Sequence, residues 1–146
     1  MHHFNVRVYG ILINKGNVLV SDEYIKGKYI TKFPGGGLEF GEGTMDCLIR
    51  EFKEELDLNI EVLNHFYTTD FFVTSAFNAN SQVISIYYLV SALDPLNFKI
   101  SEKEFDFEEK EGAQSFRWIA LDEIKESNFT FVIDKKIAEL LTETKL

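Results

Sequence analysis

The sequence predicts one domain of the α+β or mixed α/β class, and three observations support this prediction. The chain has 146 residues, of which 45% are hydrophobic and 14% aromatic, which is enough apolar material for one buried core. Several segments alternate apolar and polar residues or are continuously apolar, as β-strands are. Another segment repeats its apolar residues at helical spacing. We therefore predict a single domain over residues 1–146, with several strands and two or three helices.

The first part of the chain is predicted to form a hairpin followed by a loop. Residues 4–13 alternate and then become mostly apolar, and residues 14–17 (Asn-Lys-Gly-Asn) are typical of a turn before the apolar pattern resumes. A hairpin over residues 4–22 is therefore expected. Residues 24–32 are polar and aromatic, which favours a surface loop with a short strand. The Pro-Gly-Gly-Gly run at 34–37 is expected to break any regular element.

A predicted helix begins after Gly43. Thr44 is a good N-cap candidate, and an acid in the first turn, Asp46, suits the helix dipole. The helix is expected to end near Leu56 or Asp57. Its predicted apolar stripe consists of Met45, Leu48, Ile49, Phe52 and Leu56.

The rest of the chain alternates between strands, loops and a closing helix. Val, Ile, Tyr and Phe dominate the predicted strands, and an acidic segment separates them from the last two elements. In chain order we predict a strand at 59–73, a hairpin connection at 74–80, a strand at 81–93, a loop at 101–113, a strand at 114–121 and a helix at 131–144.

The formal net charge of −9 is concentrated in two segments. Residues 39–57 carry −5 and residues 102–111 carry −4, whereas the remainder is balanced. So acidic a chain is not expected to bind nucleic acid in general, because Lys and Arg drive that binding. No run approaches the roughly 20 apolar residues of a membrane span, and the single cysteine, Cys47, rules out an internal disulfide framework. These features predict a cytoplasmic protein with no membrane partner.

Three glutamates, Glu51, Glu54 and Glu55, lie at i, i+3 and i+4 and therefore project from one side of the predicted helix. Carboxylate and carbonyl oxygens are the ligands that Mg²⁺ and Mn²⁺ take. A solvated helix face would show the same pattern, because exposed like-charge pairs cost only about 0.2–0.5 kcal/mol each. The glycine run favours a metal site, since its backbone can approach a ligand closely and direct a carbonyl oxygen at a metal.

These residues resemble the Nudix box, G-x5-E-x7-R-E-U-x-E-E-x-G-U, where U is a bulky aliphatic residue. One departure is Asp57, which stands where the family has a glycine that ends the helix in a left-handed conformation; Asp tolerates this at some cost. Residues 116–124 also resemble the family's late strand-to-helix segment. The residues in register are Gly36, Glu42, Arg50, Glu51, Glu54, Glu55 and Leu58, with Phe52 as an apolar variant at a U position.

The resemblance implies the Nudix fold, a mixed β-sheet sandwiched between helices. It also implies hydrolysis of a diphosphate bond in a nucleoside diphosphate linked to another moiety, with Mg²⁺ as cofactor and Mn²⁺ as a substitute. The metal-binding residues implied are Gly35 (through its carbonyl oxygen), Glu51, Glu54 and Glu55, with Glu42 and Arg50 in supporting roles.

The general base is less closely defined by the resemblance. The family often takes it from an acid in a late loop, which makes Glu111 the first candidate and Glu109 the second. In some members a box glutamate serves instead, and Glu54 is the candidate here.

Substrate contacts are predicted at Arg7 and Lys32 for phosphate and at Phe33 for stacking on a base, although surface and core roles compete with each of these. The particular nucleotide derivative is not readable from the sequence. A catalytically inactive Nudix-fold module that binds or senses a nucleotide is the alternative function, and the intact carboxylates count against it. A metal-binding protein without a nucleotide role is weaker still. A homodimer is common in the family, and the sequence leaves the oligomeric state open.

Overall fold

The computed structural model describes residues 1–144 and divides into two compact units. The first unit contains Met1–Leu12 and Pro34–Phe98, and the second contains Ile13–Phe33 and Lys99–Leu146. Within residues 1–144, no helix is long and apolar enough to cross a membrane. A single domain over residues 1–146 stays a prediction, and its last two residues lie outside the described range.

Seven strands and two α-helices follow one another along residues 1–144. They agree with the predicted class, a mixed sheet with two helices. In chain order they are β1 (His3–Asn14), β2 (Asn17–Ile25), β3 (Lys28–Lys32), β4 (Gly35–Gly37), α1 (Thr44–Leu56), β5 (Ile60–Thr68), β6 (Ser81–Ala92), β7 (Gln114–Ala120), one turn of 3₁₀ helix (Glu126–Asn128) and α2 (Val132–Glu143).

The sheet of the first unit is mixed. Strand β1 runs parallel to β6 and antiparallel to β4, and β5 pairs antiparallel with β6. Strand β5 ends at Thr68, several residues before the end of the strand predicted over 59–73. The connection between β5 and β6 is therefore longer than the predicted 74–80 loop. Within it, an isolated bridge joins Thr74 to Gln82 of β6.

The glycine run forms strand β4, which corrects the prediction that it would break regular structure. Gly35 pairs with Tyr9, and its φ is 148°. A Cβ atom at Gly35 would lie 2.1 Å from the carbonyl oxygen of Val8. Only a residue without a side chain can therefore lie this close to β1. The run is a strand because glycine allows the close approach.

The N-cap of helix α1 lies one residue earlier than predicted. Gly43 is the N-cap, and its backbone N–H donates to the Asp46 carboxylate at 3.2 Å. The prediction that Thr44 caps the helix is therefore wrong. The Thr44 hydroxyl instead forms a 2.7 Å hydrogen bond with the hydroxyl of Tyr88 on β6. This contact fixes the start of the helix against the sheet.

The buried face of α1 is narrower than predicted. Leu48, Phe52 and Leu56 are buried as expected. Met45 and Ile49 are 50% and 40% exposed, because they lie toward the edge of the stripe. The helix therefore packs mainly through the row of Leu48, Phe52 and Leu56, and Glu54 on its acidic side stays exposed.

The second unit is built on β2, which pairs antiparallel with both β3 and β7. The predicted turn at Lys15-Gly16 connects β1 to β2, with positive φ at both residues. A second turn of the same kind at Lys26-Gly27 connects β2 to β3. The sequence predicted a surface loop with a short strand over residues 24–32, because charged and aromatic residues surround the Lys-Gly pair.

A buried ion pair holds the acidic segment 101–113 against the second unit's sheet. Asp22 is fully buried and accepts from Arg117 at 2.7 Å and from Thr31 at 2.7 Å. The backbone N–H of Phe105 also donates to Asp22, at 3.3 Å. The segment has no regular strand or helix, as predicted, and its position depends on a carboxylate from β2.

The exit of α1 follows the family pattern without the family's glycine. Asp57 takes a left-handed conformation with φ 50° and ψ 40°, and its N–H donates to the carbonyls of Lys53 and Phe52. The Lys53 ammonium lies 2.9 Å from the Asp57 carboxylate and lowers the pKa of that group. The helix ends at Leu56 as predicted, with a local ion pair beside the turn.

The conformation of Asp57 generates a stability prediction. Asp57→Ala should lower the melting temperature by about 3 °C relative to Asp57→Gly, because alanine is strained in the left-handed region whereas glycine is not, and both variants lack the ion pair with Lys53. Differential scanning calorimetry of the two variants and the parent chain measures this. Equal melting temperatures for the alanine and glycine variants would contradict the assigned conformation.

Candidate functional site

The site residues of α1 and the preceding loop are organised around the Arg50 guanidinium. Its Nε and Nη2 atoms donate to the two oxygens of Glu42 at 3.0 and 2.7 Å, which is a bidentate pair. Nη2 also donates to the carbonyl oxygen of Gly37 at 3.2 Å. One edge of Arg50 therefore joins the helix to the loop and to β4. The Gly37 carbonyl was not among the predicted site residues, because a backbone acceptor has no signature in the sequence.

The third nitrogen of Arg50 faces the acids of the helix. Nη1 donates to Glu51 at 3.1 Å and lies 3.2 Å from the nearer oxygen of Glu54. Glu39 lies farther away, at 3.7 Å. Four carboxylates thus lie within 4 Å of one guanidinium, which leaves three negative charges in excess. The structure brings together Glu42, Arg50, Glu51 and Glu54.

Glu42 closes the loop before α1 as well as holding Arg50. It accepts from the backbone N–H of Glu39 at 2.9 Å. The hydrogen bonds from Arg50, followed by that from Glu39, lower the pKa of the Glu42 carboxyl to about 2. The same bonds with Glu42 raise the pKa of Arg50 above its usual value. Glu42 therefore stays ionised and acts as a fixed acceptor rather than as a proton donor.

Gly36 provides the space in which the Glu51 carboxylate lies. A Cβ atom at Gly36 would lie 2.5 Å from one oxygen of Glu51 and 2.8 Å from the other. These distances are far below van der Waals contact, so any side chain at this position would displace the carboxylate. The first glycine of the box is therefore needed to make room for the half-buried side chain of Glu51.

The donor set suits a hard divalent cation. The side chains of Glu51 and Glu54 are 14% and 57% exposed, so they range from sheltered to open, and Glu55 is half-buried on the same helix. All of these groups offer oxygen, which is the ligand that Mg²⁺ prefers. Across residues 1–144, no three His, Cys, Asp or Glu side chains are already grouped as a metal cage. The carboxylates of Glu51 and Glu54 are instead directed at Arg50.

Cys47 is packed rather than reactive, as expected. It is fully buried beside the site, and its thiol contacts the Gly37 carbonyl at 3.5 Å. Burial, together with the neighbouring Glu42, raises the pKa of the thiol to about 12. Because the thiolate is the reactive form, Cys47 has no nucleophilic role.

Arg7 lies on β1 opposite Gly37 of β4. Its Nε donates to the Tyr9 hydroxyl at 2.5 Å, and the guanidinium lies 5.7 Å from the centre of the Tyr9 ring. The half-buried guanidinium of Arg7 therefore lies beside Gly37 of β4. The role of Arg7 in substrate binding stays a prediction.

Lys32 and Phe33 belong to the second unit and are both buried. The Lys32 ammonium forms a 2.9 Å ion pair with Glu23, and its side chain is 5% exposed. Phe33 is fully buried and stacks on Phe129 with ring centres 4.6 Å apart. In this conformation Lys32 already has an anionic partner, and Phe33 offers no free face to a base. These contacts give both residues packing roles.

The two loop candidates for the base have partners within the second unit. Both carboxylate oxygens of Glu111 accept from the backbone N–H of Lys26, at 2.8 and 3.0 Å. Glu109 accepts a hydrogen bond from the hydroxyl of Tyr29. Both acids thus fasten the loop to the hairpin formed by β2 and β3. The signal that could have indicated this is the Lys-Gly turn at 26–27, whose backbone N–H needs an acceptor.

Many solved structures are similar to this chain, including the following three. The first is the MutT protein from Methanosarcina mazei Go1, with a TM-score of 0.68 and 16% identity, covering 97% of this chain and 95% of that chain. The second is the E. coli ORF135 protein, with a TM-score of 0.67 and 15% identity, covering 97% and 91%. The third is an ADP-ribose pyrophosphatase from Streptococcus suis 89-1591, with a TM-score of 0.58 and 19% identity, covering 94% and 87%.

At these identities the structural likeness establishes the fold. No curated protein matches the sequence. A sequence model of the NUDIX domain matches residues 1–140, which is nearly the whole chain. The glutamates and arginine of the box, the glycine strand beside them and the MutT-like fold agree with that match, and the chain belongs to the Nudix family.

Proposed function

We propose that this protein is a divalent-metal-dependent Nudix hydrolase that cleaves a diphosphate bond in a nucleoside diphosphate linked to another moiety. The observation that carries the proposal is the grouping of Glu42, Glu51 and Glu54 around Arg50, next to the glycine strand. Membership of the Nudix family and the similarity to an ADP-ribose pyrophosphatase support it. A module that only binds a nucleotide has no need of these carboxylates.

The proposed metal-binding residues are Glu51, Glu54, Glu55 and the carbonyl oxygen of Gly35. A divalent cation held by these residues would supply positive charge to neutralise the diphosphate and to acidify a water molecule. Gly36 allows Glu51 to lie against the β4 backbone, and Glu42 holds Arg50 beside both helix carboxylates. The chain's own contribution is to fix these oxygens on a rigid helix, so that little ordering is needed when substrate binds.

For the general base we propose Glu54 rather than Glu111. Glu54 is 57% exposed, and its described contact is with the outer nitrogen of Arg50, so its carboxylate can reach a water molecule. Glu111 directs both oxygens at the Lys26 N–H, which is the geometry of a loop anchor. In this proposal Glu54 takes the proton from the attacking water, and the acidic loop has a structural role.

A hydrolysis panel tests the proposed activity. Nucleoside triphosphates, ADP-ribose, nucleotide sugars and dinucleoside polyphosphates are each incubated with the protein and Mg²⁺, Mn²⁺ or EDTA. We expect turnover of at least one class that depends on the metal and releases a nucleoside monophosphate or inorganic phosphate. Tight nucleotide binding without turnover across the panel would favour the binding-module alternative.

Paired substitutions separate the two candidate bases. Glu54→Gln should lower kcat by about 10²–10⁴-fold, because the amide cannot accept the proton and is also a weaker ligand for the metal. Glu111→Gln should stay within about threefold of the parent, because it changes a loop anchor. Kinetics on the best substrate of the panel, with circular dichroism to check folding, measures both effects. A large loss of kcat in Glu111→Gln alone would reinstate the loop as the source of the base.

The glycine beside Glu51 gives a prediction about metal binding. Gly36→Ala should fold but bind Mn²⁺ at least about tenfold more weakly, because the new methyl group displaces the Glu51 carboxylate. Gly37→Ala is the matched control, since a Cβ there lies 3.5 Å from Arg7, an ordinary contact. Electron paramagnetic resonance of free Mn²⁺ measures both affinities. Unchanged Mn²⁺ affinity in Gly36→Ala would exclude Glu51 as a ligand.

A further inference from the structure

The two edges of the Arg50 guanidinium are held differently. The edge formed by Nε and Nη2 has short bonds to both oxygens of Glu42, at 3.0 and 2.7 Å, and a third acceptor in the Gly37 carbonyl. The Glu42 side chain is only 15% exposed, so water competes weakly for this edge. This edge is therefore firmly anchored.

The remaining nitrogen, Nη1, has longer contacts, and one of its two partners, Glu54, is more exposed than Glu42. It lies 3.1 Å from Glu51, and 3.2 and 3.4 Å from the two oxygens of Glu54. Charge-assisted hydrogen bonds of this kind are typically about 2.7–2.9 Å long. Glu54 is more than half exposed, and such pairs contribute little to stability. The Nη1 contact with Glu54 can therefore be exchanged for a better cation at low cost, and the contact with Glu51, although sheltered, is a single hydrogen bond of 3.1 Å.

We propose that Arg50 Nη1 and a divalent cation compete for the carboxylates of Glu51 and Glu54, while the Glu42 edge of Arg50 stays in place. The inference rests on the proposed function, because it takes those two glutamates as metal-binding residues. Each carboxylate has a limited number of lone pairs, and both cations draw on the same oxygens. Arg50 thus holds the like charges together when metal is scarce and lowers the affinity for metal.

The sign of one effect distinguishes this role from a purely orienting one. If Arg50 only orients the glutamates, removing its charge weakens metal binding. If Arg50 competes, removing its charge leaves Glu51 and Glu54 with one positive neighbour fewer and strengthens metal binding. The two roles therefore predict opposite changes in the same dissociation constant.

The experiment compares Arg50→Gln with Lys53→Gln. Both variants remove one positive charge from the same helix, but Lys53 pairs with Asp57 at 2.9 Å and is the control for net charge alone. Mn²⁺ dissociation constants are measured by electron paramagnetic resonance without nucleotide. We expect Arg50→Gln to bind Mn²⁺ at least about threefold more tightly than the parent, and Lys53→Gln to stay within about twofold.

Equal or weaker Mn²⁺ binding in Arg50→Gln overturns the competition. A gain of the same size in Lys53→Gln also overturns it, because the effect would then be one of net charge. If the parent chain and Arg50→Gln both fail to bind Mn²⁺, the proposed metal-dependent function fails as well. The two proposals are thus separated by whether the parent binds metal.

A second measurement covers the case in which Arg50→Gln does not fold, since it leaves Glu42 without its partner. The chain contains three arginines, Arg7, Arg50 and Arg117, so few guanidinium signals appear in a nitrogen-15 NMR spectrum. The signal lost in Arg50→Lys identifies Arg50. On adding Mg²⁺ to the parent, the Nε–H signal should persist while the Nη protons exchange faster with water. Unchanged Nη signals at saturating Mg²⁺ would overturn the proposal.

Discussion

The candidate site depends on one guanidinium group among several carboxylates. Without Arg50, the acids of the loop and helix would repel one another in a partly buried position, and the loop that carries Glu42 would lose its link to the helix. The bidentate pair with Glu42 also explains why the box has an acid eight residues before its arginine. The loop must bring a carboxylate back to the first turns of α1, and this acid also closes the loop through the Glu39 N–H.

A second constraint is the absence of side chains along β4. Gly35 must lie close beside β1, and Gly36 must leave room for Glu51. One glycine therefore serves the pairing with β1, and its neighbour serves the site. The same short strand presents the Gly37 carbonyl to Arg50. Packing of the sheet and geometry of the site are therefore not independent in this unit.

Much of this could be predicted from the sequence, and the limits have physical causes. The bounds of α1 could be predicted from the 3.6-residue period of its apolar residues. The same period predicted that Glu51 and Glu54 project from one side of the helix. The strand formed by the glycine run could not be predicted, because local propensity disfavours it and only pairing with β1 stabilises it. The burial of Lys32 and Phe33 was likewise hidden, since their partners, Glu23 and Phe129, are set by tertiary structure.

The acidity of the two charged segments does not show which of them suits a metal. The groups that contact each carboxylate do distinguish the two segments. In the 101–113 segment, Glu111 meets a backbone N–H and Glu109 meets a tyrosine hydroxyl, so these charges are used to fasten a loop. Around Arg50, four carboxylates share one cation and three negative charges have no counterpart in that group. A carboxylate satisfied by neutral donors gains little from another cation, whereas an under-neutralised group gains much. The charge imbalance around Arg50 is therefore the stronger argument for a metal site than the acidity of either segment.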